Sequence, residues 1–372
     1  MSKHVLITGG AGFIGSHLAD ELLRRGYKVR VLDNLSPQVH GPDQKRPDYL
    51  DNEVELVVGD VCDPYAVGRA LQAIDAVVHL AAAVGVGESM YEVVRYNQTN
   101  NIGTAALLEA LIRNPVERLV VASSMSIYGE GLYSAPDGSI AASVARSLKQ
   151  LEAKDWEVRN AAGDVLTPIA TPETKPASLA SVYALTKYDQ ERMCLIIGQA
   201  YGIAAVALRF FNVYGTRQAL SNPYTGVLAI FAARLLNGNP PLVFEDGQQR
   251  RDFVSVHDVV QACRLALESP EAAGQVFNVG GGRSYTVLDI AARMAKLLNK
   301  PHLEPEIIAS YRAGDIRHCF ADIGLAQSVL GYQPRIALQE GLAELAMWLD
   351  GQTAIDRVAE ARAELDRRGL IR

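Results

Sequence analysis

Short apolar runs rich in β-branched residues alternate with helical patterns through the first half of the chain. The runs fall at 5–8, 29–33, 54–60, 76–80 and 119–123, which is the rhythm of a parallel sheet covered by helices on both faces. Between them, Ile14, Leu18 and Leu22 recur at helical spacing, and 105–112 reads as another helix. A strand at 205–208 follows a helix beginning near Tyr183, and 275–279 looks like a late strand returning to the sheet. The pattern predicts an α/β fold: a doubly wound parallel sheet (Rossmann) with a smaller α/β lobe. Residues 1–212 with about 251–282 form the large domain, and about 213–250 with 283–338 form the lobe.

Two segments stand apart. Residues 130–181 are long, punctuated by Gly, Pro, Ala and Ser around a helical stretch at 145–154; such an insertion is either a lid over a site or a surface excursion. The tail, 339–372, is helical and highly charged, and reads as a surface or partner-contact helix.

At 372 residues the chain is long enough for one large domain and a lobe. A net charge of −6 offers no broad basic field for nucleic acid or an anionic membrane, so an anionic ligand must be held by a local pocket. The four cysteines, at 62, 194, 263 and 319, lack paired-ligand spacing, so neither a metal site nor a disulfide framework is expected and a reducing cytoplasm fits. The apolar stretch before Gly9 is too short for a signal segment or a membrane span.

The turn Thr8-Gly9-Gly10-Ala11-Gly12-Phe13-Ile14-Gly15 joins the first strand to the first helix. There a pyrophosphate meets unpaired helix N–H groups, and Gly9, Gly12 and Gly15 leave room for its approach. Asp33 ends the second strand where it would hydrogen-bond an adenosine ribose and repel a 2′-phosphate, so NAD is favoured over NADP. Asp60 and Val61 follow the third strand, within reach of an adenine edge; a helix cap is the plainer role for Asp60. His79 reads as a satisfied core or loop-positioning residue.

Tyr183 and Lys187 stand at i and i+4 on one helical face, where an ammonium and a cationic nicotinamide favour the phenolate. Ser124 ends the fifth strand at the carboxyl edge of the sheet, placed to hydrogen-bond a substrate oxygen.

The glycine turn, Asp60, His79-Leu80-Ala81-Ala82, Ser124, Tyr183 with Lys187, Arg209-Phe210-Phe211-Asn212-Val213-Tyr214-Gly215, Arg251-Asp252-Phe253-Val254 and Arg312-Ala313-Gly314-Asp315 follow one another as in extended short-chain dehydrogenases acting on nucleotide sugars. The chain resembles that family, and Val86-Gly87-Glu88-Ser89 is most similar to UDP-galactose 4-epimerases. The resemblance implies a tightly bound NAD held by the glycine turn with Phe13, Ile14, Asn34, Leu80, Ala81, Ala82 and Asn101. It assigns catalysis to Ser124, Tyr183 and Lys187. Substrate binding falls to Ser124, Ser126 and Asn212, with Arg251 and Arg312 on the phosphates, Val243 and Phe244 beside the base, and Asp315 at the ribose end. It also implies a homodimer formed through the helix after Tyr183 and the helix around 96–111.

Related 4,6-dehydratases carry an Asp-Glu pair after the serine or threonine, and UDP-glucuronate decarboxylases a glutamate at the second position. Here these positions are Met125 and Ser126, leaving oxidation and re-reduction at C4. The sequence departs from UDP-galactose epimerases at Val84, commonly a lysine there, and in the insertion. The insertion is similar to one in dTDP-L-rhamnose 4-epimerases, without the cysteines sometimes found there. A net 4-keto reductase or dehydrogenase, or an NAD-binding regulator without catalysis, is the alternative.

Overall fold

The computed structural model describes residues 3–141, 144–224 and 226–372. Its large sheet has seven parallel strands in the order Val276–Val279, Ala204–Phe210, Arg118–Ser124, Ala76–His79, His4–Thr8, Lys28–Asp33, Glu55–Val58. The central strands are buried almost throughout because successive side chains feed opposite faces. Val5, Ile7, Val31 and Val120 pack on one side with the helices Phe13–Arg24 and Val256–Glu268. Leu6, Leu32, Val77 and Leu119 pack on the other with Pro64–Ala70, Gly103–Arg113 and Val182–Tyr201. All strands run the same way, so the ligand-facing turns at Gly9, Asp33, Asp60, Leu80 and Ser124 gather at one sheet edge.

The lobe is built on a sheet of Asn212–Tyr214, Arg250–Ser255, Ser284–Thr286 and His318–Cys319, with Leu242–Val243 paired to Glu306–Ile307. The pairing of Arg250–Ser255 with Asn212–Tyr214 places that strand in the lobe, so the chain returns to the large domain at the Val256–Glu268 helix rather than at 251.

Two further expectations change. The tail is not a detached surface helix: Leu338, Leu342, Leu345 and Leu349 of the Leu338–Leu349 helix are buried in the lobe core, and Val358–Arg367 faces the cleft between the domains. A charged helix with one apolar stripe hides that stripe from a composition-based reading. The insertion forms its own three-stranded sheet, with Leu132–Ser134 between Ile140–Ala141 and Thr167–Ile169 and a small core of Tyr133, Val158 and Leu166. Its expected helix shortens to Leu148–Glu152.

Candidate active site

The glycine turn is built from close approaches. Gly9 has φ +67°, and a Cβ on it would stand 2.9 Å from the Ala81 backbone. On Gly15 a Cβ would lie 2.4 Å from Gly10 Cα, so the helix start can pack onto the turn only without a side chain. Gly12 differs: a Cβ there meets only Gly9 O at 3.4 Å, and its open side faces the cleft. That space, beside a helix N-terminus with no side-chain cap, fits the pyrophosphate of a dinucleotide.

Asp33 is buried at the sheet edge, where Oδ2 accepts from Ala11 N at 3.0 Å and Oδ1 from Leu35 N at 2.9 Å. A carboxylate keeps further lone pairs for ribose hydroxyls. Asn34 donates to Asp60 Oδ2 at 2.9 Å, and Asp60 Oδ1 accepts from Cys62 N at 2.8 Å. Burial pushes the Asp60 carboxyl upward, but these hydrogen bonds outweigh it and hold the group below the usual range. The helix cap is Asp63 instead, accepting from Tyr65 N. Phe13, Ile14, Val61, Leu80, Ala81 and Ala82 line the same cleft.

Asn101 does not. It donates to Asp189 Oδ2 and Asn97 Oδ1, each at 3.0 Å, on the far side of its helix. The inward asparagine is Asn100, which accepts from Ala83 N at 2.7 Å and donates to Ala83 O and Thr186 Oγ1, fixing the turn after the fourth strand. Residues Asn97–Ile102 form a π-helical turn, whose wider winding shifts the phase that an α-helical count assigns.

Ser124 Oγ accepts from Ser126 N and contacts Ser126 Oγ, both at 3.1 Å. The helix carrying Tyr183 begins at a Ser181 cap, and Tyr183 N donates to Ser89 Oγ at 3.0 Å, locking the 86–89 segment to the catalytic helix. Burial raises the Tyr183 phenol above its ordinary pKa, while the hydrogen bond with Ser124 draws it back down. Lys187 Nζ turns to Gln190 Oε1 at 2.6 Å, and burial pushes its pKa down to about 8. Gln190 in turn bonds Thr104 Oγ1 at 2.8 Å and His79 Nε2 at 3.2 Å. His79, whose other ring nitrogen meets Thr8 Oγ1, is driven down to about 3 by burial, with Lys187 adding to it. It is a neutral positioning group behind the site.

At the lobe end, Arg251 donates to Arg317 O at 2.8 Å and to Ile316 O, which fixes its guanidinium. Its neighbour Asp252 is fully buried and accepts from Gly281 N and Gly282 N, anchoring the strand. Arg312 stacks over the Phe244 ring at 4.5 Å and donates to Asp315 Oδ2 at 2.9 Å, so Asp315 is engaged by that arginine. Asn212, Ser126, Arg251, Arg312, Phe244 and Asp315 all line the cleft. Val243 points into the lobe core, and its strand neighbours Leu242 and Phe244 form the wall instead, as the two-residue strand period requires.

Several cleft residues carried no motif. His40, 3.6 Å from Asp33 Oδ1 at the end of the one-turn helix Pro37–His40, and Tyr224, in a turn, come from segments with no periodic signal. Val358, Ala361, Arg362 and Leu365 also line it, and their i, i+3, i+4, i+7 spacing was available in the sequence.

The insertion is fastened to the wall of this cleft by buried charge. Arg317 bonds Glu157, Glu245 and Asp246, while Arg146 bonds Glu130, Glu245 and the Asp315 carbonyl. Glu245 and Asp246 directly follow Phe244, and Arg317 supplies a carbonyl that holds Arg251.

A profile of the NAD dependent epimerase/dehydratase family matches residues 5–147 and 160–280. The chain belongs to this family. Its cofactor is therefore NAD. A dTDP-L-rhamnose 4-epimerase of Burkholderia thailandensis is 36% identical over 93% of this chain and 95% of its own length. The fold is similar to that of the Thermotoga maritima UDP-glucose 4-epimerase crystallised with UDP-glucose, with a TM-score of 0.75 and 31% identity over 93% of this chain and 98% of that one. It is similar as well to the Thermus thermophilus UDP-glucose 4-epimerase in complex with NAD, with a TM-score of 0.75 and 32% identity over 94% and 100% of the two chains. Among the described residues no helix is long and apolar enough to cross a membrane.

Proposed function

We propose that this protein is a nucleotide-sugar 4-epimerase that inverts C4 of a dTDP- or UDP-hexose, with dTDP-L-rhamnose the first substrate to test. The observation that carries the reading is the pairing of Ser124 and Tyr183 at the cleft with Met125 and Ser126 where elimination would need an acid and a base. The similarity to the Burkholderia enzyme, and the resemblance of the 130–181 insertion to one in dTDP-L-rhamnose 4-epimerases, favour the 6-deoxy substrate.

Bound NAD supplies the hydride acceptor and donor for C4. Gly9, Gly12 and Gly15 receive its pyrophosphate, and Asp33 its ribose. Tyr183 removes the proton from O4 while Ser124 hydrogen-bonds the same oxygen, giving a 4-keto sugar. Lys187, free to leave Gln190, is the cation that favours the ionised phenol. Asn212, Arg251 and Arg312 keep the diphosphate in place while the sugar turns about its phosphate linkage and presents the opposite face. Tyr183 then returns the proton to O4. Atoms and electrons balance over the cycle, so NAD stays bound through turnover.

Purified protein incubated with dTDP-L-rhamnose and no added nicotinamide is expected to form the 6-deoxy-talose epimer catalytically, read from the H4 coupling by NMR. Product formed only in step with supplied NAD(H) or NADP(H) would make the protein a net oxidoreductase.

The same proposal includes a cytoplasmic homodimer. Its four cysteines are free thiols, as a reducing compartment keeps them. Val94, Ile102, Leu185 and Ile196 expose apolar side chains on the neighbouring segments 93–102 and 182–201, a surface suited to a partner copy. Light scattering is expected to give twice the chain mass, and Ile196→Glu to return the monomer. A monomeric wild-type protein would reject this interface.

A further inference from the structure

The C-terminal helix, Val358–Arg367, bridges the two sides of the cleft. On the side of the large domain, a methyl added to Gly87 would lie 3.5 Å from both Leu365 methyl groups, and the Arg368 guanidinium sits 4.2 Å from the centre of the Tyr91 ring. On the lobe side the chain end pairs with the segment that carries Arg312: Ala313 N donates to Leu370 O at 2.8 Å, Tyr311 N to Arg372 O at 2.9 Å, and Arg372 N to Tyr311 O at 3.0 Å. The approach is pinned by Asp356, which accepts from Arg234 and from Asn239 Nδ2 at 2.8 Å.

This helix sorts its side chains. Val358, Arg362 and Leu365 line the cleft, Glu360 and Glu364 line the adjoining groove, and Ala361 lines both. Arg362 is the one charged group on the cleft face. The other cations lining the cleft are already engaged: Lys187 by Gln190, Arg95 by Glu88, Arg251 by backbone carbonyls and Arg312 by Asp315. Arg362 makes no hydrogen bond or ion pair among the described residues, although Glu364, two residues on, is held by Arg367 and Arg368. A guanidinium facing the cleft without a carboxylate partner is complementary to a diphosphate, which offers several acceptor oxygens.

We propose that Arg362 is a third diphosphate-binding arginine of the nucleotide-sugar site, delivered by the C-terminal helix, with Leu365 as an apolar wall beside Gly87. The inference rests on the nucleotide-sugar reading above. It also accounts for the chain end being paired to the Arg312 segment, since one clamp then positions two phosphate-binding side chains.

The test titrates wild type, Arg362→Gln and Arg367→Gln with dTDP, with UDP and with dTDP-L-rhamnose by calorimetry, and measures the NAD content of each protein. Arg362→Gln is expected to weaken the better-bound nucleotide by roughly tenfold or more, with NAD content unchanged. Arg367→Gln, altering an arginine already paired to Glu364, is expected to bind as wild type. Unchanged binding by Arg362→Gln overturns this inference and leaves the proposed function standing. Weakening seen only when a sugar is attached to the nucleotide overturns the assignment to the diphosphate. A wild-type protein that binds neither nucleotide overturns the nucleotide-sugar reading and this inference with it.

Discussion

Replacing Tyr183 by Phe is expected to lower kcat by about a thousandfold, within the range that a positioned acid–base group contributes, while leaving KM and bound NAD close to wild type. The phenol is enclosed, and Ser124 keeps Ser126 as a hydrogen-bond partner after the change, so the fold loses little. The ring's packing against Tyr96 is retained in Phe. What disappears is the only group at this position able to take a proton from O4 and give it back. Steady-state kinetics with a count of bound nucleotide separates this from a binding defect. A variant with near-normal kcat would remove Tyr183 from the chemistry.

Arg317→Met is expected to produce the largest loss of stability. The arginine is fully buried, and its removal leaves Glu245, itself almost fully buried, and Asp246 without their shared cation. Breaking a buried ion pair from one side costs about 3–5 kcal/mol, which thermal unfolding reads as a drop in Tm of roughly five degrees for a chain of this size. Burial already raises the Glu245 carboxyl while Arg146 and Arg317 pull it down, so loss of Arg317 leaves a half-compensated charge. Adding Glu245→Gln should restore part of the loss, since it removes one of the stranded carboxylates. Because Arg317 also holds Arg251 through its carbonyl, and Glu245 follows Phe244, substrate KM is expected to rise in the single variant. An unchanged Tm and KM would mean that the insertion only decorates the surface.

The sequence revealed the parts governed by short-range rules. Buried parallel strands show as continuous apolar runs, and all seven strands of the large sheet lie within a few residues of the runs read from the sequence. The glycine turn, Ser124, Tyr183 and Lys187 were readable because their spacing carries the chemistry. Misplaced or invisible features depend on phase or on distant pairing. Asn100 rather than Asn101 faces the turn after the fourth strand, through a π-helical turn that no periodicity announces. Val243 faces the core, and a two-residue strand gives too little alternation in the sequence to show which face it takes. That Lys187 Nζ bonds Gln190 Oε1 is a choice of rotamer that the i, i+4 spacing leaves open. The charge cluster that ties the insertion to the lobe joins residues more than 150 positions apart, such as Arg317 and Glu157, and nothing local marks them as partners.

The central claim is that C4 is oxidised and reduced again without exchange with the surroundings. The direct measurement uses dTDP-L-rhamnose deuterated at C4, in ordinary water with no added nicotinamide, followed by NMR and mass spectrometry of the epimer. The account predicts an inverted C4 that still carries its deuterium, at many turnovers per enzyme. Deuterium washed out to solvent, or a keto product that accumulates without returning to an alcohol, would contradict it.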